Sequence, residues 1–297
     1  MRTPFVHRVL AELIADGTIE TTDSLLAVCA GPAESEIFSL LGFSRVVLTN
    51  ISIAQGAISS YTWEPQNAEA LTFPDSSFDF AFVCDGLHHC SSPHKALTEL
   101  YRVARDGVIV FETRDSMTQR LAIRARLSSE YELDAVVDHS GESGGLNDTE
   151  IPNFVYRWTE REFEKTLKAF SPLGEPTLRF FYGLELPAHS LGPRWKRAAT
   201  KAAGLIMQAL TALLPSQRNL LAMVALKPTA PDGLHRWLRL ENGRVRFNLQ
   251  GAHGLRKPGP SAAEERVSRE DNFARFAQPE ATTQHQCQHQ SGKEVKR

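Results

Sequence analysis

An alternation of short apolar runs and helical patterns between Leu25 and Arg114 limits the possible folds of this chain most strongly. Ser35–Leu41 places Ile37, Phe38 and Leu41 on one helical face, and Ser92-Pro93 begins a second helix with a capping hydroxyl and a proline at its first position. Apolar strands that alternate with helices predict an α/β fold with a doubly wound, mostly parallel sheet. The predicted strands are Leu25–Ala30, Arg45–Leu48, Phe78–Val83 and Gly107–Phe111.

The flanking segments extend this pattern in both directions. Thr3–Ile14 has the spacing of an amphipathic helix, which we expect to pack on the sheet or to roof a ligand cleft. Thr159 and Glu162 have the spacing of a capping box at the start of another helix. The remaining predicted elements are a helix over Met117–Leu127 and strands over Thr177–Leu186 and Asn219–Leu226.

Composition excludes several classes of protein. The formal net charge of -2 gives no basic footprint for nucleic acid, and the four cysteines of the 297 residues have no CxxC spacing. We therefore expect a protein of the reducing cytoplasm, with no structural metal and no disulfide framework. The sequence also has neither a secretion signal nor an apolar run of about 20 residues, the length that a membrane-spanning helix needs.

The turns after the first two predicted strands are candidate cofactor contacts. Ligands of such folds bind at the carboxyl ends of the strands, where glycine lets the backbone come close. Cys29, Ala30 and Gly31 occupy the first turn, and Asn50 and Ile51 follow the second strand. The single glycine is weak evidence when taken alone, and the alternative is a plain strand-to-helix turn.

The most specific signature begins at Gln66. NAEALTFPDSSFD leads into the third strand, GLHH follows that strand, and ELYRV lies in the helix after Ser92-Pro93. In this order and spacing, the segment resembles class I S-adenosylmethionine-dependent methyltransferases, and most closely the small-molecule group with a ubiquinone/menaquinone-methyltransferase-like core. The resemblance covers roughly Leu25 to Phe111, with a fainter continuation at Asn219–Pro228.

The resemblance implies the cofactor S-adenosylmethionine, a sheet with an antiparallel last strand, and methyl transfer to an oxygen or nitrogen of a small molecule. It assigns the methionine end to Cys29, Ala30 and Gly31, the ribose to Asn50, and the adenine to Asn67 and Ala68. Asp85, His88 and His89 would face the transfer zone, and Ile51, Asp85 and Gly86 complete the expected cofactor contacts.

Three of the expected cofactor contacts depart from the family pattern. One glycine remains where the family has three, and Asn50 and Asn67 replace acidic residues. A catalytically silent binding or scaffold protein is therefore an alternative interpretation. A nicotinamide-dependent oxidoreductase is a weaker one, because the GxGxxG pattern and the acid after the second strand are missing.

His88 and His89 follow the third strand and are candidate catalytic bases, since a neutral imidazole accepts a proton near pH 7. The alternative is that one of them lines the cofactor pocket or bonds to the next helix.

Residues 115–190 are predicted to form a cap over the substrate. The glycine-rich stretch 138–148 is typical of a lid and equally of a mobile surface loop. The aromatic segment 151–158 is either an acceptor pocket or core. The candidate substrate residues are His139, Asn153, Tyr156 and Arg157.

The C-terminal part is more weakly patterned. Trp195–Leu214, with basic Arg194 before it, is either a helix on the sheet or a helix in peripheral contact with an anionic membrane through 194–214. We predict a methyltransferase domain over 1–228, a hairpin extension over 229–250 around Glu241-Asn242-Gly243, and a disordered tail over 251–297. In that tail, His285, Cys287 and His289 are not interpreted as a metal site.

Overall fold

The fold is taken from a computed structural model, which describes residues 3–52, 61–185, 204–205, 207–229 and 232–252. A seven-stranded sheet has the order β3-β2-β1-β4-β5-β7-β6. Its strands are β1 (Ser24–Val28), β2 (Arg45–Asn50), β3 (Thr62–Pro65), β4 (Phe78–Cys84), β5 (Ala104–Thr113), β6 (Thr177–Gly183) and β7 (Leu220–Leu226).

The direction of the strands confirms the predicted sheet. The strands β1 to β5 pair with one another in parallel, whereas β7 is antiparallel to both β5 and β6. The predicted antiparallel strand is therefore β7, and it lies inside the sheet rather than at its edge.

The helices were largely predicted from the sequence. They are α1 (Thr3–Ala15), α2 (Pro32–Leu41), α3 (Pro93–Val103), α4 (Met117–Arg124), α5 (Leu133–Asp138) and α6 (Glu160–Phe170). Ser92 caps α3 and Thr159 caps α6 with the predicted capping box. These caps satisfy the amide groups that the first turn of a helix leaves without partners.

The sheet is buried on both faces, as expected when helices cover a parallel sheet. Leu25 and Ala27 of β1 pack with the buried faces of α1 and α2, whereas Leu26 and Val28 pack with α3 and α6. This alternation follows from the two-residue period of a strand. Helix α1 thus packs on the sheet.

Two expectations about strand boundaries are corrected. β5 begins at Ala104 rather than Gly107, so Arg105-Asp106-Gly107 lies within the strand and not in a turn before it. β3 was not predicted; it is four residues long and none of its residues is buried.

The hairpin predicted around Glu241-Asn242-Gly243 is present, with β8 (Leu238–Glu241) antiparallel to β9 (Arg244–Phe247). Residues 207–213 are helical, but most of the helix predicted over Trp195–Leu214 lies outside the described residues, as do residues 253–297 of the predicted tail. Among the described residues, no helix is both long enough and apolar enough to cross a membrane.

Candidate functional site

A cleft of about 510 Å³ opens at the carboxyl ends of β1, β2 and β4. Cys29 follows β1, Asn50 is the last residue of β2 and precedes Ile51, and Asp85 and Gly86 follow β4. The volume is in the range of small-molecule sites. The cleft lies where β1 pairs with β2 on one side and β4 on the other, which is the switch point where ligands of such sheets bind.

The backbones of the β1 and β4 turns approach each other closely. Cys29 has a φ of 51° and Asp85 has the same value, a left-handed conformation that side chains other than glycine rarely adopt. A Cβ added to Gly86 would lie against the Cβ of Cys29, closer than two carbon atoms normally come. Gly86 therefore provides the space that the Cys29 side chain occupies.

The wall formed by Cys29 is uncharged. The hydrogen bond with Cys90 and burial both raise the pKa of the Cys29 thiol well above its usual value. Since a thiol must ionise to become a strong nucleophile, this side chain shapes the cleft rather than attacking a ligand.

Asn50 ties the first two turns together. Its Nδ2 donates to the Ala30 carbonyl at 3.1 Å, and its Oδ1 accepts from the Ile51 N–H at 2.8 Å. Both ends of the amide are thus in use, which fixes the side chain at the rim of the cleft.

The segment from Ala135 to Asp148 covers the opposite side of the cleft. His139, Gly144, Gly145 and other residues of this segment line it. Asn147 Nδ2 donates to Ser91 Oγ at 2.6 Å, and Asp148 accepts a hydrogen bond from Ser52 Oγ. The glycine-rich stretch thus closes over the strand ends.

A buried carboxylate supports the turn after β4. Glu112 of β5 is 1% exposed, accepts from the Leu87 N–H at 2.8 Å and contacts His88 Nδ1 at 2.7 Å. Since a buried charge is costly without partners, these two donors fix both the turn Leu87–His89 and the ring of His88.

Glu132, immediately before α5, completes a four-residue cluster. Its Oε2 lies 3.2 Å from His88 Nε2 and 3.2 Å from His89 Nε2. Burial alone would lower the pKa of His88, but the two carboxylates outweigh it and raise that pKa to about 9. Hydrogen bonds from His88 and His89 hold the pKa of Glu132 well below its usual value. A metal-free His88 is therefore protonated at neutral pH and is poorly suited to act as a base.

Part of this chain is similar in sequence to known methyltransferases. Residues 33–111 match the model of a family described as a methyltransferase domain. The ubiquinone/menaquinone biosynthesis C-methyltransferase UbiE of Hydrogenovibrio crunogenus is 37% identical over 89 residues, which are 29% of this chain and 33% of that protein. The enzyme of the same name from Xanthomonas oryzae is 40% identical over 68 residues, or 23% of this chain and 25% of that protein.

Residues 33–111 of this chain are therefore similar to a methyltransferase domain, a class of domain whose cofactor is S-adenosylmethionine. The chain spans only a quarter to a third of the length of these curated relatives.

Solved structures with a similar arrangement include the YcgJ protein of Bacillus subtilis, at 15% identity and a TM-score of 0.46 over 74% of this chain and 98% of that chain. Another is magnesium protoporphyrin IX methyltransferase of Synechocystis PCC 6803 with bound S-adenosylhomocysteine, at 14% identity and a TM-score of 0.44 over 76% and 83% of the two chains.

Two parts of the sequence signature, the FPDSSFD turn and the ELYRV helix, are joined by hydrogen bonds that we call the clamp. Arg102 of α3 donates to the carbonyls of Leu71 and Phe73 and to the carboxylates of Asp75 and Glu99. Glu99 in turn accepts from the Leu71 N–H at 3.0 Å. The ELYRV helix thereby holds the FPDSSFD turn.

The structure brings most of the predicted site residues together. The residues that line the cleft are Cys29, Asn50, Ile51, Ala68, Asp85, Gly86, His89 and His139. His88 lies beneath them, 5% exposed.

Three predicted cofactor contacts are not part of the cleft lining. Gly31 precedes α2, where its N–H donates to Glu34 Oε2 at 2.8 Å. Asn67 Oδ1 accepts from the Glu69 N–H at 2.8 Å in a local turn. Ala30 is buried and joins the cleft only through its carbonyl bond to Asn50.

The aromatic segment predicted as an acceptor pocket does not reach the cleft either. Tyr156 donates to Glu162 Oε1 at 2.5 Å, and Arg157 contacts the carbonyls of Val155 and Ser129. Asn153 is 1% exposed and lies against Glu132. These three residues therefore bond within the segment that follows β5 and do not line this cleft.

Glu112 and Glu132 were missed at the sequence level. Glu112 could have been identified from the sequence, because it directly follows the apolar run Val108–Phe111 and therefore continues a strand that is buried on both faces. Glu132 lies in an unpatterned segment, and only tertiary folding brings it to the two histidines.

Proposed function

We propose that this protein transfers a methyl group from S-adenosylmethionine to an oxygen or nitrogen atom of a small molecule. The observation that carries the proposal is the cleft at the ends of β1, β2 and β4, which combines the family's cofactor position with a polar cover. Catalysis would come mostly from holding the acceptor in line with the sulfonium methyl group.

The residues of the cleft suit the parts of such a cofactor. Asn50 ends β2, where a ribose is bound in related folds, and beyond its bonds to Ala30 and Ile51 its amide keeps one N–H and one oxygen lone pair. Gly86 allows the close approach of the backbone after β4. The methyl group would point toward Asp85 and His89.

An oxygen or nitrogen acceptor is supported by His89. Its ring is about 29% exposed at the cleft, and Glu132 lies at its Nε2. A hydroxyl or amine that becomes methylated loses a proton, and an imidazole beside a carboxylate is suited to receive one. The related UbiE proteins are named as C-methyltransferases, so a carbon acceptor is the competing outcome. A sugar, a lipid-linked precursor and a secondary metabolite are the acceptor classes that we propose to screen.

A second candidate is a catalytically silent methyltransferase-like protein that binds a partner. It is favoured by the loss of two turn glycines and by Asn50 in place of an acid, which removes the charge that strengthens bonds to ribose hydroxyls.

Calorimetric titration with S-adenosylmethionine and S-adenosylhomocysteine tests the proposal. We expect micromolar binding of both, weakened at least tenfold by Asn50→Ala. Asn248→Ala is a matched control, since this asparagine lies beyond β9 and bonds to the Arg236 carbonyl. Transfer of a labelled methyl group to acceptor mixtures then identifies the atom that is methylated.

The two candidates give different results in this titration. No binding of either compound by folded protein would overturn the enzyme and favour the silent protein. Binding with transfer to a carbon atom would retain the enzyme and overturn the oxygen or nitrogen acceptor.

A further inference from the structure

We propose that His88, His89 and Glu132 bind a divalent transition-metal ion of the zinc class at the inner wall of the cleft. The inference rests on the position of three donor atoms that come from two separate elements of the fold. His88 Nε2, His89 Nε2 and a carboxylate oxygen of Glu132 all lie within 4.8 Å of one another.

The distances fit a single ion. Zinc binds imidazole nitrogen at about 2.0–2.1 Å in a tetrahedral arrangement, which separates neighbouring donor atoms by about 3.3 Å. The two nitrogen-to-oxygen separations, His88 Nε2 to Glu132 Oε2 and His89 Nε2 to Glu132 Oε2, are both 3.2 Å. These two separations match such an ion, and the two ring nitrogens lie within 4.8 Å of each other.

The hydrogen-bond partners of the two Nδ1 atoms leave the Nε2 atom of each ring for the metal. His88 Nδ1 faces Glu112 Oε2 at 2.7 Å, and His89 Nδ1 faces the Gly145 carbonyl at 3.4 Å. When each Nδ1 donates its proton to that acceptor, the lone pair of each ring lies on Nε2. A histidine ligand whose other nitrogen bonds to a carboxylate or carbonyl is the usual arrangement of a metal site.

The charge of the cluster also favours a divalent cation. Glu112 is fully buried and Glu132 is about one-third exposed, so the two carboxylates face two imidazoles from the core to the edge of the cleft. Once an ion displaces the proton of His88, the cluster carries two negative charges, which one divalent ion would balance.

Asn153 provides an independent indication. It is 1% exposed, its Nδ2 lies 3.3 Å from Glu132 Oε2, and its Oδ1 has no hydrogen-bond partner among the described residues. A buried acceptor without a donor is unfavourable. A metal-bound water, or the ion itself after rotation of the amide, would satisfy it.

Three protein ligands leave one position of a tetrahedral ion open, as in catalytic rather than structural zinc sites. His89 lines the cleft, so the open position borders the bound ligands. There the ion would hold an oxygen of the acceptor and favour the loss of its proton, so His89 would accept that proton itself only in the metal-free protein. That last role rests on the proposed function, whereas metal binding itself does not.

The test is a calorimetric titration of the full chain with zinc after treatment with a chelator. The chain is used with H285A, C287S and H289A, because these tail residues can bind zinc themselves. We expect one equivalent to bind with micromolar or tighter affinity. Cobalt, used as a visible probe, is expected to show the absorption of a low-symmetry, four-coordinate site.

Variants in the same background distinguish a site from surface binding. His89→Ala and Glu132→Gln should weaken zinc binding at least tenfold, and both side chains are exposed enough for the fold to tolerate the change. Glu112→Gln, which alters only the outer partner of His88, should weaken binding about 10- to 100-fold. His235→Ala is the matched control, because His235 faces Glu175 at 3.9 Å outside the cleft, and it should leave the affinity unchanged.

Two results would overturn the inference. One is the absence of zinc binding tighter than millimolar in the tail-substituted background. The other is equal affinity before and after His89→Ala and Glu132→Gln. Either result is independent of whether S-adenosylmethionine binds, so failure here and failure of the methyltransferase proposal are distinguishable.

Discussion

Replacement of Gly86 by alanine tests whether the close approach of the β1 and β4 turns is as tight as the structure indicates. The new methyl group would lie directly against Cys29 Cβ, 3.0 Å from Cys29 Sγ and 2.9 Å from Val83 Cγ2. Carbon atoms prefer separations of about 3.5–4.0 Å. Overpacking of this kind typically costs about 1–3 kcal/mol of stability. We expect Gly86→Ala to lower the free energy of unfolding by that amount and to weaken binding of S-adenosylhomocysteine.

The same change in a Cys29→Gly background isolates the cause. Two of the three close contacts of the new methyl group disappear, and only Val83 remains. Cys29→Gly also relieves the φ of 51°, a conformation that costs other residues about 1–2 kcal/mol. Part of this gain is offset, by about 0.5–1 kcal/mol, because glycine is more flexible in the unfolded chain.

A double-mutant cycle measures the coupling. Urea unfolding followed by circular dichroism gives the four free energies, and we expect Gly86→Ala to cost at least about 1 kcal/mol less when residue 29 is glycine. If Gly86→Ala lowers the free energy of unfolding equally in the two backgrounds, the reasoning is refuted. The contact with Cys29 would then not determine which residue the turn tolerates at position 86.

Three further predictions concern stability. Thr159→Ala should lower the free energy of unfolding by about 1 kcal/mol, because it removes the capping hydroxyl of α6, and Thr159→Ser should restore most of it. In chelator-treated protein, the protonated ring of His88 should stabilise the fold by about 3 kcal/mol, fully so below its ordinary pKa of 6.5. This contribution should be lost as the pH rises through 9. A free energy of unfolding that does not fall over this range would contradict the ion pairs with Glu112 and Glu132. Arg102→Lys should destabilise by about 1–3 kcal/mol, because a single ammonium group cannot replace the guanidinium at four acceptors, yet it should leave the S-adenosylhomocysteine affinity of folded protein unchanged.

The sheet was predictable because its signals are local. Each long strand is an apolar run, and caps such as Ser92 mark where the helices begin. β3 was missed because four partly exposed residues that end in Pro65 carry neither an apolar run nor a clear alternation. Its place in the sheet depends on pairing with β2, which is a tertiary contact.

The site was predictable only to the extent that it lies on strand ends. Parallel strands bring their carboxyl ends to one edge, so Cys29, Asn50 and Asp85 were expected to meet before any geometry was known. The partners of His88 were not predictable, because they lie 24 and 44 positions further along the chain. Tyr156 was selected because it lies in an aromatic-rich segment of the predicted cap. Neither the composition nor the position of that segment determines the direction in which a side chain points.

The clamp between Arg102 and the turn Leu71–Asp75 has a consequence for how relatives of this protein are recognised. The residues that make the segment recognisable bond to one another, on the side of α3, and hold the polypeptide in shape. A descendant that had lost its chemistry would still need them in order to fold. Resemblance in this stretch therefore records common ancestry and architecture, whereas evidence for a working enzyme has to be sought at Asn50, Gly86 and His89.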